Sequence, residues 1–240
     1  MSGTDRQQTG EPHEMVITVP GGQLGGLLTV PPGAKGIVLF AHGSGSSRHS
    51  PRNRQVAEML REAGLATLLM DLLTRDEDAI DQYTREFRFN IDLLGDRVTD
   101  VTDWVARNPG TRDLPIGLFG ASTGAAAALR AAAARPGLVR VVVSRGGRPD
   151  LAGDALPRVQ APTLLIIGAE DAQVILLNDA ARRQMRAPVQ VVLVPGATHL
   201  FEEPGTLVAA SRLARDWFLE HLSPDASRRV PQEQHGIRPA

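Results

Sequence analysis

The strongest constraint on the fold of this chain is a set of short apolar runs that do not alternate with polar residues. Ile37–Ala41 (IVLFA) is the clearest, and Thr163–Ile167 (TLLII) is another. A strand that is apolar on both faces must be covered on both, as in a parallel sheet flanked by helices. Helix-like segments fall where such a sheet needs them. Arg54–Ala63 follows the first run and is closed by Gly64, and Leu65–Met70 is the next strand. A polar stretch, 71–90, leads to a helix over Asp92–Arg107 that Pro109 and Gly110 stop. The rhythm then repeats. Strands are expected at Pro115–Phe119, Leu138–Val143, Thr163–Ile167 and Val189–Val194, with helices at Ser122–Ala134, Val174–Met185 and Gly205–His221. Met15–Val19 and Leu27–Val30, around Gly21-Gly22, read as an opening antiparallel hairpin. The expectation is an α/β fold: a mostly parallel twisted sheet with helices on both faces and ligands beyond the strand carboxyl ends.

A length of 240 residues fits one compact domain, placed at 14–222. The polar segments 1–13 and 223–240 are expected to be loosely ordered tails. Basic and acidic residues balance at 26 and 27, so the basic excess of a nucleic-acid binder is missing. The chain has no cysteine, which removes disulfides, thiolate metal sites and a cysteine nucleophile. No apolar run approaches the ~20 residues of a membrane span, and the N-terminus lacks a secretory signal's apolar region. A cytoplasmic protein is expected.

Gly120-Ala121-Ser122-Thr123-Gly124 stands between the strand ending at Phe119 and the helix that follows. A serine hydroxyl projects above a sheet only from a very tight, strained turn, and the flanking positions must then be small. G-x-S-x-G supplies this, so Ser122 is the candidate nucleophile. A glycine-flanked helix start with a capping serine would leave the same trace.

Such a serine needs a base held in one tautomer by a carboxylate. His199 lies directly after the strand VQVVLV, at a strand carboxyl end, whereas His13 and His235 fall in the tails and His221 ends a helix. Asp171 follows TLLII through Gly168-Ala169-Glu170, with Glu170 as its neighbouring rival. The order Ser122, Asp171, His199 is that of α/β-hydrolases.

His42-Gly43-Ser44-Gly45-Ser46-Ser47 follows IVLFA and is the place for an oxyanion-binding amide. The candidate donors are the amides of Ser44 and Thr123, with Gly43 as the alternative, and His42 is read as a tether for the loop. Arg48, Phe89, Arg145 and Gly43 are candidate substrate contacts, although solvated or packing roles explain the same residues. Whether 71–95 forms a lid is left open.

The segments AHGSGSSRHSPRN, GASTG, GAEDAQV and PGATHLFEEPG resemble the dienelactone hydrolase-like branch of the α/β-hydrolase superfamily over residues 15–220. Two positions depart from the founding enzymes, which carry a cysteine at the position of Ser122 and a glutamate at that of His42. Similar domains also occur fused to phosphoribosyltransferase domains, and this chain shows no phosphoribosyl-diphosphate motif. The resemblance implies the fold, a serine triad and hydrolysis of a small ester or lactone through an acyl-serine, with no metal or organic cofactor. Alternatives are acyl transfer to an alcohol or peroxide on the same triad, and a non-catalytic binding module that kept the fold.

Overall fold

The computed structural model describes residues 10–222. The expected tails 1–13 and 223–240 lie outside these apart from residues 10–13, and His13 already opens the first strand.

Eight strands form one sheet in the order β1-β2-β4-β3-β5-β6-β7-β8. β1 (His13–Val19) and β2 (Gly22–Thr29) make the antiparallel hairpin, and β2 pairs antiparallel with β4 (Ala66–Met70). β3 (Ile37–Ala41), β5 (Ile116–Ala121), β6 (Val139–Arg145), β7 (Thr163–Gly168) and β8 (Val189–Val194) run parallel to β4 and to one another. This is the mostly parallel sheet that the apolar runs predict, in the α/β-hydrolase arrangement that the resemblance implies.

Successive residues of a strand face opposite sides, so each strand feeds two cores. Val38, Phe40, Phe119, Val141 and Val143 pack under α1 (Pro51–Glu62) and α6 (Thr206–Leu222). Leu39, Leu118 and Val142 pack against α3 (Ile91–Val105) and α4 (Thr123–Ala134) on the other face. The alanine run of α4 explains its depth. Ala125–Ala128, Ala131 and Ala132 are buried, and with so little side chain the helix backbone lies close against the sheet.

Between β3 and β5 the connections depart in opposite directions, β3 to β4 on one side and β5 to β6 on the other. Such a switch point opens a crevice at the strand carboxyl ends. The glycine-serine loop after β3 and the turn after β5 meet there.

Three elements differ from expectation. β2 begins at Gly22 rather than Leu27, because Gly25 and Gly26 pair in the ladder despite their low strand propensity. A Cβ on Gly25 would lie 2.6 Å from Arg48 Nη1, so the Arg48 guanidinium packs over the bare backbone there. The stretch 71–90 contains a helix, α2 (Arg75–Thr84), and a 3₁₀ segment covers Pro149–Arg158. α2 starts with a capping box: Thr74 Oγ1 accepts from Glu77 N and Glu77 Oε2 accepts from Thr74 N.

Candidate active site

The turn between β5 and α4 is the strained feature expected of G-x-S-x-G. Ser122 has φ +50° and ψ −124°, a region a side chain rarely occupies. The glycines around it are required sterically. A Cβ on Gly120 would sit 2.4 Å from Ala125 Cα, and one on Gly124 would sit 2.2 Å from Ala41 O and 2.5 Å from His42 O. Gly124→Ala must therefore push α4 away from β3. It should cost about 3 kcal/mol or more, read by urea unfolding, and a loss below about 1 kcal/mol would contradict this packing.

Asp171 and His199 are brought together. His199 Nδ1 lies 2.8 Å from Asp171 Oδ2. The loops that carry them pack backbone to backbone: Glu170 N donates to Ala197 O, and a Cβ on Gly168 would lie 2.3 Å from Ala197 O. Asp171 is also the N-cap of α5 (Ala172–Arg182), its Oδ1 accepting from Val174 N at 3.4 Å. Both carboxylate oxygens thus have donors and the side chain is largely buried, whereas the rival Glu170 is exposed. Glu203 anchors the histidine loop by accepting from Thr198 N and Thr198 Oγ1.

β6 joins this pair to the serine. Ser122 N donates to Arg145 O, and the position of a Cβ on the next residue, Gly146, lies 2.9 Å from His199 O. No hydrogen bond joins Ser122 Oγ to the imidazole among the described residues, and the His199 side chain is 38% exposed. Contacts of this kind commonly tighten only when substrate is bound.

The loop after β3 approaches the serine closely. A Cβ on Gly43 would lie 3.1 Å from Ser122 Cβ, so only glycine leaves space for a reacting carbonyl. The Ser44 amide, expected to be a free donor, is engaged: Ser44 N donates to Thr123 Oγ1 at 2.9 Å. Sequence reasoning treated Thr123 only as an amide, and the hydroxyl in the G-x-S-x-G motif was the available signal.

His42 tethers this loop. Its Nδ1 donates to Gly43 O and its Nε2 accepts from Leu72 N at 3.2 Å, so the neutral tautomer is fixed. Burial depresses its pKa below the ordinary 6.5, against smaller opposing effects of Gly43, Asp71 and Asp78. Unfolded His42 takes up a proton near its ordinary pKa while folded His42 does not. Stability from this group is therefore complete above about pH 7 and lost as the pH falls through 6.5 toward the lower folded value. Unfolding free energy should decline between about pH 7 and 5, by at most about 1.4 kcal/mol per pH unit. His42→Gln should flatten that slope; an unchanged slope would contradict the assignment.

Of the remaining candidates, one borders the cleft beside the nucleophile and two do not. Arg48 lines a cleft of about 700 Å³ beside the loop, but its guanidinium is paired with Asp71 and Glu14. Phe89 is 57% exposed and does not line that cleft. Arg145 turns into the core instead of toward substrate. Its guanidinium lies 5.8 Å from the Phe119 ring centroid and 5.9 Å from that of Phe201, and burial, with Arg52 nearby, pushes its pKa down to about 10. The β6 period explains this: Val141, Val143 and Arg145 share one face. The cleft also holds a pair that sequence reasoning missed, Asp81 and Arg88. Asp81 accepts from Phe87 N, Arg88 N and Arg88 Nε. Burial opposes its charge, yet these bonds hold its carboxyl below the usual range. Among the described residues no group of three or more His, Asp or Glu side chains could hold a metal ion, and no helix is long and apolar enough to cross a membrane.

Residues 24–220 match the model of the Dienelactone hydrolase family. The chain belongs to this family. A dienelactone hydrolase from Anabaena variabilis ATCC 29413 is 56% identical, covers 88% of this chain and 98% of its own, and superposes with a TM-score of 0.87. A protein from Mycobacterium tuberculosis H37Rv, named as a candidate phosphoribosyl transferase, is 59% identical over 197 residues. That alignment covers 82% of this chain and 44% of the relative, so the chain spans less than half of the curated relatives it matches. An α/β serine hydrolase without a lid, from Xanthomonas campestris, shares the fold at 22% identity, with a TM-score of 0.71 over 95% of this chain and all of its own.

Proposed function

We propose that this family member hydrolyses carboxylic esters or lactones through an acyl-serine intermediate. The observation that carries the reading is a strained serine, Ser122, whose turn adjoins a histidine–carboxylate pair at the carboxyl ends of the strands. Ser122 Oγ attacks the carbonyl carbon while its proton passes to His199 Nε2. Asp171 fixes the Nδ1–H tautomer and stabilises the imidazolium. Negative charge develops on the carbonyl oxygen, where the Thr123 amide, unpaired in the first turn of α4, serves as a donor. The second amide comes from the loop after β3, at Gly43, since that of Ser44 is engaged. The intermediate collapses as His199 gives the proton to the departing alkoxide. Water, deprotonated by His199, then attacks the acyl carbon, and the acid leaves as Ser122 regains its proton.

The family's chemistry and the 56% identical hydrolase support this reading, while the name of the mycobacterial relatives describes longer chains, of which the aligned segment covers 44%. The acyl or alcohol portion of the substrate would occupy the cleft lined by Ser44, Ser46, Leu72 and Leu94. Incubation with p-nitrophenyl acetate, with acid and alcohol both quantified, tests the reaction type. One acid per alcohol, unchanged by added ethanol or hydrogen peroxide, is expected. Diversion of most acyl groups into ethyl ester or peracid would make the protein a transferase or perhydrolase, and no turnover at all would favour a binding module.

A further inference from the structure

We propose that the Thr123 hydroxyl is a third oxyanion donor, additional to the backbone amides, and hence a catalytic group. This rests on the serine-hydrolase reading above. Three observations combine. Ser44 N donates to Thr123 Oγ1 at 2.9 Å, so the hydroxyl oxygen lies between the loop after β3 and the nucleophile turn, where an oxyanion-holding loop amide was expected to point. Thr123 directly follows Ser122 and is 5% exposed, so water has little access to it. The Thr123 hydroxyl donates no hydrogen bond among the described residues, although other threonines such as Thr99 and Thr102 donate theirs to the carbonyl four residues back. As the first residue of α4, Thr123 follows the Ser122 turn rather than a preceding helical turn, so that intrahelical acceptor is missing.

A hydroxyl that accepts from an amide is polarised and becomes a stronger donor. The Ser44 amide therefore acts at one remove. It donates to Thr123 Oγ1, and the Thr123 O–H donates to the carbonyl oxygen as that oxygen acquires charge. No proton is transferred along the chain, and each atom keeps its bonds through the step. Such a donor matters most in the transition state, so its removal lowers kcat and leaves KM nearly unchanged.

Thr123→Val tests this, because it keeps the branched shape and removes only the hydroxyl. The expected result is a fall in kcat on the order of 10²-fold on p-nitrophenyl acetate with little change in KM. The Ki of a trifluoromethyl ketone, which forms a tetrahedral adduct on the serine, should rise in step. Thr123→Ser, which restores a hydroxyl, should recover at least about tenfold over the valine variant. If the hydroxyl only plugs the Ser44 amide, valine frees that amide and kcat stays level or rises, which overturns the proposal. A valine variant whose loss is mainly in KM, or a serine variant as slow as the valine one, overturns it as well. Thermal unfolding of both variants guards against a folding defect, and Thr123→Ala, which also lacks the hydroxyl and should lose kcat to a similar extent, carries the test if valine does not fold. Activity that survives Ser122→Ala would instead overturn the underlying hydrolase reading.

Discussion

Ser122→Ala is expected to lower kcat for a short-chain ester by at least about 10⁴-fold while leaving the fold intact. The serine side chain makes no capping bond to α4, so alanine forfeits no structural hydrogen bond. It keeps a Cβ at φ +50°, so it keeps the strain as well. What it loses is the covalent route, and residual turnover then comes from the oxyanion donors and binding alone. Ser122→Gly separates the two effects. Glycine tolerates positive φ, so that variant should be equally inactive yet more stable by about 1 kcal/mol or more, as strain held at a functional position is released. A glycine variant no more stable than wild type would mean that the turn is not strained. An alanine variant within about tenfold of wild type would remove Ser122 from the chemistry.

Asp171→Asn should reduce kcat by about 10⁴-fold with little loss of stability, and the contrast between the two follows from its two oxygens. Oδ1 caps α5 through Val174 N, a task asparagine performs as well as aspartate. Oδ2 faces His199 Nδ1. An amide there can present its N–H₂ to the ring, which favours the tautomer with the proton on Nε2 and leaves no lone pair to accept from Ser122. Thermal unfolding and steady-state kinetics on the same preparation check both halves. Equal loss of stability and activity would instead mark Asp171 as a helix cap only. Glu170→Gln changes an exposed side chain beside it and should leave kcat within about threefold.

The sheet, its helices and the meeting of Asp171 with His199 were legible because they rest on local patterns: apolar runs, glycine spacing and loops directly after strands. Features that arise only from through-space contacts were not. Arg145 looked like a substrate contact because it follows a strand, but its position on the face of Val141 and Val143 sends it inward between two phenylalanines. Arg48 reads as a candidate substrate contact, and its guanidinium is paired by Glu14, thirty-four residues away, and by Asp71. The Ser44–Thr123 bond spans seventy-nine residues and leaves no trace in either segment. α2 was missed for another reason. Its polar composition masked the capping box Thr74-Arg75-Asp76-Glu77, a local signal that was present.

Ser122 Oγ becomes covalently acylated at the carboxyl end of β5. Reaction of the full chain with a fluorophosphonate, followed by proteolysis and mass spectrometry, reads this directly. The expected result is one adduct per chain, on Ser122, whose formation slows sharply in His199→Ala. An unmodified protein, or an adduct on another residue such as Ser44 or Ser46, would contradict the account.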